Sequence, residues 1–580
     1  MKKKIIALII TCVMLISSTV MSVFAADVSD KTVTFFKDGL TRIVSVLLNG
    51  IAAPLNYFVK EGENFIKAKD YTLENFYEGT SNLLDSPAEN ARWSLGYDSA
   101  SLVPENYTDY YLGGFMTIQN GFSNKIKGVY DDMKVRTVAI SDGSGRGTSV
   151  FATIDCIGIS NADIREIRSM LSDFAAENNL CAINIFSTHC HSCIDTQGLW
   201  TGTFKTIFGN LFSSTTGIGS AKKGTNPAYM EFLYENVKQS IMNAVFSMVT
   251  GTMTLARKDI GSEYFSNKNR ENATALMTDL TKFEFTPDDS SIRPVIIANL
   301  AAHPDVVGLA TKGDDSNGQM LSGDYVYYIG ETLDKAGYDF MFFNGAICGI
   351  YIGRSLTSDG VSMDHRVEIS QRYGREIGRI LLAMSMTKEE ILADEFLSVT
   401  GDTEEEMANP SYTLWYENWE KTEATEVKPL LNVRLMSVTP PVTNPVIQLA
   451  GKLRLANYEV IVNGKRQYSV ATEIGFVQIG DTRIIMVPGE LCQDLVAGGA
   501  SLTSEGSISH TDFSGKTLYE IFGDDIIVFG LANDAIGYIL PDNDYCNGLI
   551  FSHYQEILSL GKNEGSYLMG QFEELAKLVK

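Results

Sequence analysis

A chain of 580 residues, 44% hydrophobic and 20% charged, has the make-up of a folded globular protein long enough to bury a large core. Its formal charge of −24 and pI near 4.7, with no basic patch, argue against a nucleic-acid partner. Of eight cysteines, those beyond the leader (Cys156, Cys181, Cys190, Cys193, Cys348, Cys492, Cys546) have no regular spacing and make a poor disulfide framework.

Lys2, Lys3 and Lys4 precede an apolar run, and Ser22-Val-Phe-Ala25 offers small residues for cleavage, so residues 1–26 read as a secretory signal peptide. The expected location is extracellular, with the cell surface open. Over 31–60, Val33, Phe36, Leu40, Ile43, Leu47 and Ile51 recur at helical spacing. Arg42, Asn49 and Pro54 interrupt that stretch, so it is not a membrane span. It packs on the main domain, or it touches lipid or covers a substrate entrance. Residues 61–90 read as a connector, so 27–90 form a helical extension and 91–580 the main domain.

In that domain Thr148–Ile154 reads as a buried strand, Asn161–Asn178 as a helix with Asn161 as its cap, and Ala182–Phe186 as the next strand. This β-α-β unit predicts parallel strands in an α/β protein. Just beyond it lies Ser187-Thr-His-Cys-His-Ser192. Read as a strand end, the spacing puts His189 and His191 on one face. Such a pair either starts a metal or acid/base site or merely stiffens a loop. Cys190 and Cys193 are weaker candidates as soft metal ligands.

The arrangement recurs. Strands at 294–298, 339–343, 482–487 and 525–529 run into His303-Pro304, Asn344-Gly345, Pro488-Gly489-Glu490 and a segment ending in Tyr538. Open α/β sheets place ligands at the carboxyl ends of strands, so the series predicts one shared rim. Two imidazoles and a carboxylate suit zinc, which lowers the pKa of bound water to about 7 and polarises a carbonyl. Hydrolysis of an amide or ester is the natural chemistry. His303 also reads as a loop histidine, Glu490 as a helix-start acid and Tyr538 as a core tyrosine. The segment 403–407 reads as a solvated acidic excursion and Gln571–Lys580 as a surface helix; His365, His510 and His553 receive no role.

The histidine stretch resembles the Thr-His-Thr-His-Ser-Gly motif of the neutral/alkaline (non-lysosomal) ceramidases. The likeness continues through Ala302-His-Pro304, Ser322-Gly-Asp-Tyr325, Phe343-Asn-Gly-Ala346, Pro429–Arg434, Val487-Pro-Gly-Glu490 and Gly530-Leu-Ala-Asn533. The resemblance implies mixed β-sheets flanked by helices. It implies one zinc on His189, His303, Glu490 and Tyr538, with His191 as proton carrier and Arg270 near the substrate head group. It implies a ceramide-like lipid amide as substrate and peripheral membrane contact as an open question. One departure stands out: where the family reads Gly-Asp-Val-Ser-Pro, this chain has Cys348-Gly-Ile-Tyr-Ile352, with Gly349 and Tyr351 at the aspartate and serine positions. A zinc mechanism needs no serine, so hydrolysis is expected to survive. The departure also admits another N-acyl or small-amide substrate, or a non-catalytic lipid-binding protein that keeps the fold.

Overall fold

The computed structural model describes residues 52–580, except 58, 116–123, 202–205, 207–208, 214–220, 271, 309–318, 354–365, 399–414, 456 and 547–553. The leader expected at 1–26, most of the helix expected over 31–60 and the acidic excursion at 403–407 lie outside the described residues. Residues 52–57 are helical, and no described helix is long and apolar enough to cross a membrane.

Two mixed sheets face each other. The larger contains, in chain order, β1 (Trp93–Ser101), β2 (Lys134–Ser141), β3 (Thr148–Ile154), β4 (Leu180–Ser187), β5 (Val249–Asp259), β6 (Asp279–Pro287), β7 (Val295–Leu300) and β8 (Asp339–Asn344). Their order across the sheet is β8-β7-β6-β5-β1-β2-β3-β4. The outer pairs β7/β8 and β3/β4 are parallel, and the pairs between them are antiparallel. The smaller sheet runs β9 (Leu431–Val438), β10 (Thr472–Ile479), β11 (Thr482–Met486) and β12 (Ile527–Phe529), with β11 and β12 parallel.

Side-chain alternation explains the layering. In β7, Ile296, Ala298 and Leu300 face one core, while Val295 and Ile297 face another. In β8, Phe340 and Phe342 go with the first set, Met341 and Phe343 with the second. Both faces are therefore apolar, as two-sided burial demands. The shared core between the sheets holds Phe186 and Phe343 of the large sheet against Phe529 of the small one, with the Phe343 and Phe529 rings stacked 4.1 Å apart. Helices cover the outer faces. α1 (Asn161–Met170) and α2 (Pro227–Phe246) lie over the β2–β4 side. α3 (Asp324–Lys335) and α4 (Arg366–Ala383) lie over β7 and β8. α5 (Glu564–Leu578) closes the small sheet.

Local sequence accounts for the element ends, with some differences from the expectation. The helix after β3 breaks at Leu171 and resumes over Ser172–Glu177. Ser160, not Asn161, is its cap: Ser160 is extended and accepts from the Asp163 amide. Asn161 instead lies within the helix and bonds Glu473 and the Asn533 carbonyl. The final helix starts at Glu564 and buries Leu568, Met569, Phe572 and Leu575 completely, so it is a core helix with one wet face. Within 61–90, Phe65–Lys67 forms a strand beside Val460–Gly464.

Candidate functional site

β4 stops at Ser187, and the histidines converge through a turn rather than through strand alternation. His189 has φ +63°, a left-handed conformation costly for a non-glycine residue and held here by its surroundings. The Cys190 amide donates to the Cys156 carbonyl (3.0 Å) and the His191 amide to the Pro304 carbonyl (3.0 Å). The imidazoles of His189 and His191 end 4.8 Å apart, edge to face. Cys190 and Cys193 point away into the helix-side core and lie near the Ser322 carbonyl, so they are not ligands of this cluster. Glycine makes the close approach feasible: a Cβ on Gly114 would lie 2.8 Å from the His191 ring.

His303 follows β7, and its backbone amide donates to the Ile350 carbonyl at 2.9 Å. Glu490 follows β11 on a short strand paired in parallel with Tyr538–Ile539, directly opposite Tyr538. The structure therefore brings His189, His191, His303, Glu490 and Tyr538 together from the carboxyl ends of strands in both sheets. Glu490 lies between two histidines, with Oε2 2.9 Å from His303 Nε2 and Oε1 3.3 Å from His189 Nε2. Tyr538 also hydrogen-bonds the Glu490 carboxylate.

Backbone carbonyls fix the tautomers. A carbonyl only accepts, so His189 Nδ1–H donates to Ile157 (2.7 Å) and His303 Nδ1–H to Ile350 (2.7 Å). Both Nε2 atoms are thereby turned toward Glu490. Burial lowers the His189 pKa to about 4 against the pull of Glu490, and burial with two neighbouring imidazoles holds His191 well below its ordinary value. For His303 burial is outweighed by the bond to Glu490 and its charge, which raise its pKa. For Glu490 burial is outweighed by His189, His303 and Tyr538, which lower it.

This donor set fits a zinc ion. His189 Nε2 and both ring nitrogens of His191 are buried and make no hydrogen bond among the described residues. Ligand atoms of His189, His191 and His303 all lie within 4.8 Å of one another. Bonds of about 2.1 Å in a tetrahedron imply ligand separations of roughly 3.4 Å; the His189–Glu490 distance of 3.3 Å matches this, while His303 and Glu490 at 2.9 Å stand closer, as a hydrogen-bonded pair. The carbonyl-anchored imidazoles are the outer support that metal-binding histidines ordinarily have.

Arg270 is committed elsewhere. Its guanidinium pairs with Asp544 (3.1 Å) and with Glu556, and it donates to the Asp544 carbonyl. The neighbouring Asn269 donates to the Cys348 carbonyl at 2.7 Å. That amide occupies the room beside Gly349, where an added Cβ would meet Asn269 Oδ1 at 2.2 Å and φ is +65°. An aspartate at Gly349 would have to displace the Asn269 amide and adopt a left-handed backbone that favours glycine. Tyr351 lies face to face with His303 (centroids 4.7 Å, 20°), and Phe115 lies over His191 at 4.6 Å. Both rings are half-buried. Neither ring was singled out for this role from sequence; the glycine pair before Phe115 was the available signal. His510 is exposed, and His365 and His553 lie outside the described residues.

No family model matches this chain, and no curated protein does either. Among solved structures, neutral ceramidase from Pseudomonas aeruginosa superposes with a TM-score of 0.55 at 14% identity, covering 84% of this chain and 74% of that one. A ceramidase complexed with C2 gives 0.53 at 12% identity, covering 84% and 75%. The chain has the fold of these proteins.

Proposed function

We propose that this protein is an exported zinc-dependent amidohydrolase that cleaves the N-acyl bond of a ceramide-like lipid amide to a fatty acid and an amine. The observation that carries the reading is the convergence of His189, His303 and Glu490, with carbonyl-fixed imidazoles, at strand ends of a ceramidase fold. His189, His303, Glu490 and Tyr538 would hold the metal, which when bound polarises the amide carbonyl and activates water for attack.

The chain's own groups divide the remaining work. Ile157 and Ile350 hold the imidazoles in one tautomer through their carbonyls. His191, whose two ring nitrogens make no hydrogen bond among the described residues, would carry a proton to the departing amine. Arg270 sits one residue from Asn269, whose bond to Cys348 shapes the wall near His303. With its charge balanced by Asp544 and Glu556, Arg270 would support that wall rather than bind the substrate's polar end directly.

Tyr351 favours a second reading, in which the substrate is a different N-acyl or small amide. Its ring lies face to face with His303, where the family resemblance expects a small serine.

The test is reconstitution. Protein stripped by a chelator should lose amidase activity toward a panel of N-acyl amides and recover it at one zinc per chain. Recovery of activity without bound metal would end the proposal. A panel in which a small amide is clearly the best substrate would select the second reading.

A further inference from the structure

Ser322-Gly-Asp324, a segment that the proposed chemistry does not use, connects the two histidine loops. The Ser322 carbonyl accepts from Ser192 Oγ (3.0 Å) and Cys190 Sγ (3.2 Å). The Ser322 amide donates to the Ser192 carbonyl (3.0 Å). Two residues on, Asp324 Oδ2 accepts from the Val307 amide (2.9 Å), and Tyr325 donates its hydroxyl to the Ala302 carbonyl (2.7 Å). One short segment therefore grips the chain on either side of His303 and immediately after His191. Asp324 is held at φ +55°, a conformation that persists only when its surroundings over-determine it.

Asp131 holds this segment in place. Its Oδ1 accepts from the Gly323 amide (2.7 Å), and its Oδ2 accepts from Ser322 Oγ (2.7 Å) and the Tyr328 hydroxyl (2.7 Å). Three donors converge on one buried carboxylate and favour its ionised form, although burial outweighs them and pushes its pKa up to about 7. The same Ser322 Oγ then accepts from the Asp324 amide (2.9 Å) and so passes the constraint onward.

We propose that Asp131 is a positioning residue for the candidate metal site, acting through Ser322 and Asp324 to fix the separation of the His189–His191 and His303 loops. It touches neither the substrate nor the metal. The consequence for metal binding rests on the zinc reading above; the mechanical link between the loops does not.

The experiment compares Asp131→Asn, Ser322→Ala and Tyr328→Phe in the full chain. Tyr328→Phe removes one donor from Asp131 without unhooking Ser322, and so reports general loosening. Zinc affinity is read by competition with a chromophoric chelator, and amide exchange is followed in peptides covering 188–193 and 302–307. Asp131→Asn and Ser322→Ala should each weaken zinc binding by about 10–100-fold, the usual cost of losing an outer partner. Both should speed exchange in the two loop peptides together, and Tyr328→Phe should leave affinity within about twofold. If Asp131→Asn does not fold, Ser322→Ala alone decides the matter. Unchanged loop exchange in a folded Asp131→Asn or Ser322→Ala protein overturns the proposal, as does an equal effect from Tyr328→Phe. Faster exchange in both loops, in a protein whose wild type binds no zinc, would sustain the link and refute the zinc reading.

Discussion

Replacing Glu490 with glutamine tests the electrostatics of the site most sharply. His303 donates from Nδ1 to a carbonyl and faces a carboxylate 2.9 Å from Nε2, so in metal-free protein its imidazolium form, with hydrogen on both nitrogens, is favoured and its pKa is raised. A metal ion held at Nε2 would require that proton to leave. Below the raised pKa of His303, binding should release about one proton, and each pH unit should change the binding free energy by about 1.4 kcal/mol. Glutamine keeps the shape but removes the charge that sustains the imidazolium. The variant should bind zinc far more weakly and release markedly fewer protons at the same pH. Calorimetry in buffers of different ionisation enthalpy counts the protons directly. A wild type that releases none between pH 6 and 7, or a variant that releases as many, would refute this reasoning.

Linkage fixes the sign for stability as well. His303 has a folded pKa above its ordinary 6.5, so the stabilisation from its pairing with Glu490 is full below about pH 6.5 and fades as pH rises through the raised value. Glu490 is shifted the other way, so its share is present above its ordinary 4.5 and fades as pH falls through the lowered value. Metal-free protein should therefore gain from this pair between those limits, and the gain should vanish in Glu490→Gln when melting is followed across pH. Arg270→Met should destabilise by about 3–5 kcal/mol in urea unfolding, because it strands the buried Glu556 carboxylate. Gly114→Ala, with a Cβ 2.8 Å from the His191 ring and φ at +112°, should cut turnover while melting within a few degrees of wild type; unchanged turnover would remove His191 from the chemistry.

Much of this was legible in the sequence where one physical rule dominates. Apolar runs such as Thr148–Ile154 are buried on both faces, and they emerged as strands with those bounds. The breakers after them placed His189, His303, Glu490 and Tyr538 beyond strand ends, and the structure brings the four together. Geometry made by non-local packing was not legible. Alternation led to two histidines on one strand face, whereas a left-handed His189 brings them together, and that conformation depends on Ile157, Cys156 and Pro304. The balance of charge on Arg270 depends on residues some 270 positions away. Tyr351 read as a missing serine; only the fold shows an aromatic ring lying on a candidate ligand. The last helix read as surface because its polar face is plain in sequence, while its buried stripe needs the small sheet to be seen.

The measurement that bears most directly on the central claim is mass-spectrometric detection of both products from a short-chain ceramide. Purified zinc-loaded protein at neutral pH would be compared with His303→Ala, which removes an imidazole that is wholly buried in the cluster. Wild type should give fatty acid and sphingoid base in equal amounts, and the variant none above background. Equal product from both proteins, or none from folded, zinc-loaded wild type on this or any other N-acyl amide, would contradict it.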